Sequence, residues 1–339
     1  MPDYRGRVGS LIDIEDIRAA AAAIAGHVVR TPAVVSPGLT AHLGIPVTVK
    51  LELLQRTGSF KARGAFHKLL GLSAAERAAG VVAVSGGNHA TALADAAGAL
   101  GITATVVMPE SAPARAAAAA RASGADVRLT PDMPGAFALM DELVAAGSTL
   151  VHPFDDAVVI AGQGTVGLEF AADAPEVTDV LVSIGGGGLI AGVASAFHAL
   201  APHVRVWGAE TEGADAMTRA LAAGAPVPMT PTSIVSTLSA PYVSTLTLEH
   251  VRALVEDVLV VPDADAVRGS LTLAEEAKVW AEPAAGCLVP AAMQVLDHVG
   301  PDAHLGLVVC GGNVTAADVA AWTERFAATP LPARTPASH

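Results

Sequence analysis

"DVLVSIGGGGLIAGVASAFHAL", residues 179–200, changes character halfway along. Val180, Leu181, Val182 and Ile184 form a short β-prone run, four glycines follow, and the remainder places its apolar residues at helical spacing. The stretch therefore reads as a strand, a turn that lets another molecule come close to the backbone, and a helix beginning at the turn. Converging backbone N–H groups and the helix dipole make such a turn an anion site that needs no lysine or arginine. The glycines do not follow the Gly-x-Gly-x-x-Gly order of dinucleotide sites, although Glu210 lies near the distance at which those sites carry an acidic residue. A dinucleotide site stays open as an alternative at this point.

The same alternation extends in both directions. "VTVKLEL" (47–53), "VVAVS" (81–85), "TATVVMP" (103–109), "ADVRLT" (125–130), "TLVHP" (149–153), "VRVWGAE" (204–210), "DVLVVPD" (257–263) and "LGLVVCGG" (305–312) are further short β-prone runs, separated by Ala-rich segments of helical length. Before them, residues 10–26 read as an opening helix with Asp13 and Asp16 near its positive end. Nearly continuous apolar strands between helices imply an α/β fold, mainly parallel and covered on both faces. Such sheets bind ligands beyond the carboxyl ends of their strands. Those ends read "SGGNH" (85–89), "SIGGGG" (183–188), "GAETEG" (208–213) and "CGGN" (310–313), all glycine-rich.

Composition narrows the classes. A chain of 339 residues, 52% hydrophobic and 16% charged, builds one large or two closely joined globular domains. The formal charge of −13 repels a phosphate backbone, so nucleic acid is not expected as a partner. No apolar run reaches the roughly 20 residues that span a bilayer, and no signal peptide is evident, so a cytoplasmic protein without a membrane partner is expected. Cys287 and Cys310 are too few for a disulfide framework or a zinc site. From Ala327 the chain is Pro-rich and polar, and 327–339 reads as a flexible tail.

Lysine is scarce: Lys50, Lys61, Lys68 and Lys278 are the whole set. Lys61 follows an aromatic ring in the Gly-bounded turn "QRTGSFKARG" (55–64). Most lysines are solvated surface groups. An amine held against a ring and away from water, however, has a lowered pKa and is suited to forming a Schiff base. The glycine run could anchor the phosphate of the same cofactor.

Taken together, "QRTGSFKARGA", "SGGNHATALA", "GQGTVGLE", "SIGGGGLIAG", "AEPAAG" and "CGGNV" (310–314) resemble, in order, the signature segments of fold-type II pyridoxal 5′-phosphate enzymes, specifically the serine/threonine dehydratase and serine racemase group. The resemblance implies two open, mainly parallel twisted sheets with helices on both faces, as in the tryptophan synthase β subunit. It places the cofactor between a large domain (1–62 and 156–326) and a small mobile one (63–155). Lys61 would hold the cofactor covalently and serve as general base, and Phe60 would pack on its ring. Gly185, Gly186, Gly187, Gly188 and the N–H of Leu189 would bind the phosphate. Asn88 would hydrogen-bond the ring hydroxyl, and Ser85 with the backbone of Gly86, Gly87, Asn88 and His89 would take the substrate carboxylate. Cys310 would face the pyridine nitrogen as a neutral partner, which weakens the electron sink and favours loss of a β substituent.

The implied reaction is β-elimination from an L-β-hydroxy amino acid such as threonine or serine, giving a 2-oxo acid and ammonia, in a homodimer. Three departures bear on it. Gly86 stands where racemases carry a second, proton-donating serine, so racemisation should be weak. "TLSAPYVSTLTLEH" (237–250) replaces an Ala-Asp-Gly-type segment, and Tyr242 and Ser239 there suit a bulkier or more polar substrate, such as 3-hydroxyaspartate or phenylserine. "ETEGADA" (210–216) resembles the group's cation loop, with Glu210 and the Ala214 carbonyl as ligands for potassium or magnesium, but Ala216 lacks the side-chain oxygen often found there. A β-replacement enzyme and a catalytically silent sensor are the rival readings, and the second has no use for Lys61.

Overall fold

The computed structural model describes residues 11–334. Ten strands form two sheets: β1 (Ala33–Val35), β2 (Val47–Leu51), β3 (Val81–Val84), β4 (Ala104–Pro109), β5 (Asp126–Thr130), β6 (Thr149–Leu150), β7 (Asp179–Ser183), β8 (Arg205–Thr211), β9 (Val258–Val261) and β10 (Leu305–Val309). The larger sheet has the order β1-β2-β10-β7-β8-β9 and the smaller β5-β4-β3-β6. Every pairing is parallel except that of β1 with β2.

All nine strands expected from apolar runs are present, because the central strands β2, β7 and β10 are buried along their whole length. The unexpected strand is β1. It has three residues and two of them are exposed, so no periodicity could mark it. The opening helix covers Ile14–Ile24, capped by Asp13, whose carboxylate accepts from the N–H groups of Glu15 and Asp16. Residue 10, included in the expected helix, lies outside the described residues, as do 335–339 of the expected tail. Residues 327–334 are attached: Ala328 and Leu331 are buried, and the Leu331 N–H donates to Thr272 Oγ1 at 2.9 Å.

Each sheet has its own apolar core. One cluster joins β2, β7, β8 and β10 to their helices, and another joins β3 and β4 to the helices Lys61–Leu70 and Asn88–Leu100. Between them runs the helix Ala157–Asp173, which contains the "GQGTVGLE" segment. Its glycines are there for close approach: a Cβ on Gly162 would meet Gly64 Cα at 2.7 Å, and one on Gly164 would meet Gly192 O at 3.1 Å. That segment thus draws the lysine-bearing helix and the helix Gly188–Leu200 onto a common support.

Behind the lysine-bearing helix lies a buried ionic cluster. Arg63, fully buried, donates to both oxygens of Glu52 at 2.8 Å and to both of Glu169 at 2.8 and 2.9 Å. Lys50 reaches Glu169 at 2.7 Å and the Thr31 carbonyl at 2.6 Å. Two cations facing two carboxylates, each well hydrogen-bonded, is the arrangement in which charge can be buried. It fixes the first turn after Lys61 to β2 and the Ala157–Asp173 helix.

Candidate active site

The backbone before Lys61 is bent by two consecutive left-handed residues, Thr57 (φ 59°) and Gly58 (φ 73°). Left-handed backbone is unusual for a β-branched residue and is held here by its neighbours. Asn313 Nδ2 donates to the Thr57 carbonyl at 2.7 Å, the Gly312 N–H to Gly58 O at 3.0 Å, and the Phe60 N–H to Cys310 O at 3.1 Å. The turn thereby sews the lysine segment to the residues following β10.

Lys50 and Lys68 both end on carboxylates, whereas the Lys61 amine donates to the Pro153 carbonyl at 2.9 Å and lies 5.1 Å from the centre of the Phe60 ring. Burial of that amine, opposed only by the nearby Cys310 thiol, pushes its pKa down to about 8. It is a lysine poised to lose its proton near neutral pH.

Beyond β7 the chain enters the glycine run. Gly187 (φ 89°) precedes the helix Gly188–Leu200, and no side chain caps that helix, so its first N–H groups are open to an outside acceptor. Phe154, next to the carbonyl that holds Lys61, covers the run: a Cβ on Gly186 would overlap its ring, and one on Gly188 would lie 3.1 Å from its Cβ. Cys310, just past β10, is buried with its sulfur 3.4 Å from the Ser183 hydroxyl. Burial, reinforced by the Glu282 carboxyl, pushes its thiol pKa up to about 12, so the group is neutral.

Asn88 begins the helix Asn88–Leu100, and both ends of its amide are engaged. Nδ2 donates to Glu282 Oε1 at 2.8 Å, and Oδ1 accepts from Asn313 Nδ2 at 2.8 Å. Burial raises the Glu282 carboxyl to about 7 against the pull of Asn88 and Arg115. One Asn88 N–H proton remains for another partner. The Ser85 hydroxyl accepts from the Gly87 N–H at 3.2 Å and so shapes the turn ahead of the helix, whose N-cap Gly87 offers no side chain. A Cβ at Gly86 would meet Ala112 Cβ at 2.7 Å.

His89 is buried and donates through Nε2 to Val151 O at 2.8 Å. Burial and the neighbouring Lys61 lower its pKa to about 3, so it is a neutral structural contact with nothing to give as an acid. His152 accepts the Phe154 and Asp155 N–H groups at Nδ1, leaving Nε2–H to face the Tyr242 oxygen at 3.3 Å. Tyr242 is thus the acceptor in this contact, while Ser239 spends its hydroxyl on Val235 O at 3.0 Å.

The cation-loop residues lie in a different setting. Glu210 accepts the Met217 N–H at 2.8 Å, the Thr218 N–H at 2.9 Å and the Thr218 hydroxyl at 2.7 Å, which makes it a cap for the helix Ala216–Ala223. Burial raises its pKa to about 7, and the Ala214 N–H donates to Thr211 O. Among the described residues no group of three His, Cys, Asp or Glu side chains could hold a metal ion.

Lys61, Phe60, the glycine run, Asn88 and Cys310 therefore share one site at the carboxyl ends of β7 and β10, and Glu210 and Ala214 belong to another helix end. Pro153, Phe154, Glu282, Asn313 and Ser183 were not expected at the site from sequence, although Glu282, Asn313 and Ser183 each lie inside a quoted motif. The residues present fit a phosphorylated aldehyde: an uncapped glycine cradle for the phosphate, a depressed amine for the carbonyl, and a neutral thiol beside them. Thr57 Oγ1 and Ser59 Oγ, in the turn before Lys61, and His89 Nδ1 are buried polar atoms without a hydrogen-bond partner.

A sequence family described as pyridoxal-phosphate dependent enzyme matches residues 24–311. The chain belongs to that family. Among curated members it is 39% identical to the L-threonine ammonia-lyase of Thermotoga maritima, over 90% of this chain and 76% of that one. It is 38% identical to the L-threo-3-hydroxyaspartate ammonia-lyase of a Pseudomonas species, over 90% and 96%. Maize serine racemase superposes with a TM-score of 0.87 at 34% identity, covering 94% of this chain and 98% of the other. Family membership removes the dinucleotide alternative and makes this a fold-type II enzyme. Among the described residues no helix is long and apolar enough to cross a membrane.

Proposed function

We propose that this protein is a pyridoxal-phosphate-dependent ammonia-lyase that removes water from an L-β-hydroxy amino acid and releases a 2-oxo acid and ammonia. The observation that carries the reading is the Lys61 amine, lowered to about 8 and without a carboxylate partner, beside an uncapped glycine run and a neutral thiol. When bound, the cofactor supplies a carbonyl for the substrate amine and an electron sink for the charge that develops at Cα.

The chain's own residues do the rest. Gly185 to Leu189 hold the phosphate through backbone N–H groups, with Phe154 excluding water above them. Phe60 would pack on the ring, and Asn88, clamped between Glu282 and Asn313, would offer its free N–H to the ring hydroxyl. Ser85 and the N–H groups of Gly86 to His89 receive the substrate carboxylate. The Lys61 amine, neutral near its lowered pKa, would be the base that takes the proton from Cα. Cys310, a neutral thiol, would be the partner of the ring nitrogen and would not protonate it, which would favour early departure of the β-hydroxyl.

Proton transfer is one-sided because Gly86 carries no acid, and a serine there would press on Ala112. We place Tyr242, with His152 behind it, at the β substituent, where its hydroxyl suits a substituent larger or more polar than methyl. We further place a second copy on the β1 edge, where Val34 (45%) and Val35 (53%) are exposed.

The test is product release from L- and D-serine, threonine, 3-hydroxyaspartate and phenylserine. Equimolar 2-oxo acid and ammonia from at least one L substrate, lost in Lys61→Ala, is the expected result. Epimerisation without ammonia would reject the lyase reading, and light scattering shows whether two copies associate.

A further inference from the structure

The two cysteines are both buried, yet their thiols are used differently. Cys287 donates its proton to Ala284 O at 3.2 Å, one turn back in its own helix. Cys310 does the reverse: its sulfur accepts the Ser183 hydroxyl at 3.4 Å, and among the described residues nothing accepts the Cys310 proton. Ser183 is the last residue of β7 and Cys310 the first after β10, and these strands are parallel neighbours. The Cys310 backbone is held by the Phe60 N–H, so its side chain has only rotation about χ1 and about the C–S bond left to choose. The Ser183 hydroxyl takes one of the sulfur's lone pairs and thereby limits where the thiol proton can point.

We propose that Ser183 is a positioning residue: its hydroxyl orients the Cys310 thiol so that the S–H proton is presented to the pyridine nitrogen of the cofactor. This rests on the function proposed above. Two neutral donors in series then serve the nitrogen, and each polarises the next. Ser183→Ala leaves the thiol in place and free to turn its proton elsewhere, the nearby Glu282 carboxyl being one acceptor.

The experiment compares wild type, Ser183→Ala, Ser183→Thr, Cys310→Ala and Ser183→Ala/Cys310→Ala. Affinity of each apoprotein for pyridoxal phosphate is measured by titration, together with the absorption maximum of the bound cofactor and the apoprotein melting temperature. Loss of one net hydrogen bond predicts about fivefold weaker cofactor binding in Ser183→Ala, with a displaced absorption band. Ser183→Thr, which keeps the hydroxyl, restores both, and in the Cys310→Ala background removal of the Ser183 hydroxyl has no further effect. Wild-type affinity and band in Ser183→Ala would overturn the inference, as would an equal loss in the Cys310→Ala background, which would mark Ser183 as structural only. If wild type itself bound no cofactor, the functional reading would fall and this inference with it.

Discussion

Replacing Lys61 by methionine in the cofactor-free protein should make it more stable. Burial lowers this amine from its ordinary 10.5 to about 8, a difference of about 3 kcal/mol between its charged and neutral forms. The sign follows from linkage. Because the folded-state pKa lies below the unfolded one, the cost is fully present below pH 8, shrinks as pH rises from 8 to 10.5, and is absent above that. Methionine has nearly the same length and no charge, so it escapes the cost and gives up the bond to Pro153, worth about 1 kcal/mol. Some of the lysine stem still meets solvent, so the net gain at pH 7 is at most about 2 kcal/mol. Urea unfolding of both apoproteins at pH 7 and 9.5 is the assay, and the variant's advantage should have nearly disappeared at the higher pH. An advantage independent of pH, or a less stable variant at pH 7, would show that the amine is not held away from water, and the basis for its role as a base would be gone.

Other positions give equally direct expectations. Glu282→Gln keeps an acceptor for Asn88 and removes a carboxyl raised to about 7. Its stability should therefore pull ahead of wild type as pH rises from 4.5 to 7 and then hold a constant lead, at most about 3 kcal/mol. Arg63→Leu strands two buried carboxylates and should cost about 3–5 kcal/mol in denaturant unfolding. Gly186→Ala drives a methyl into the Phe154 ring, so cofactor titration should show binding weakened by about tenfold or more, the scale of an overpacked contact. Gly86→Ser should lower thermal stability and leave D-amino acid formation far below ammonia release, because the new side chain meets Ala112 rather than open space.

What the sequence made legible was whatever is encoded locally. Buried parallel strands such as β7 and β10 appear as uninterrupted apolar runs, and the glycine run and Lys61 sit in distinctive short segments. Contacts between distant segments were invisible: the Pro153 carbonyl that holds Lys61 is 92 residues away, Glu282 is 194 residues from Asn88, and Ser183 is 127 from Cys310. None of these residue types is unusual by itself; only the topology brings them together. The contacts of Glu210 were equally hidden: its place at a strand end is legible, but not that its two oxygens accept the N–H groups of Met217 and Thr218.

Whether Lys61 is the amine that holds the cofactor can be tested at the level of the atom. Purified protein is loaded with pyridoxal phosphate, reduced with borohydride and digested, and the modified residue is found by mass spectrometry. Only four lysines are available, so the result is unambiguous: a single phosphopyridoxyl group is expected on Lys61 and none on Lys50, Lys68 or Lys278. Modification of another lysine, or none after saturation with cofactor, would contradict it.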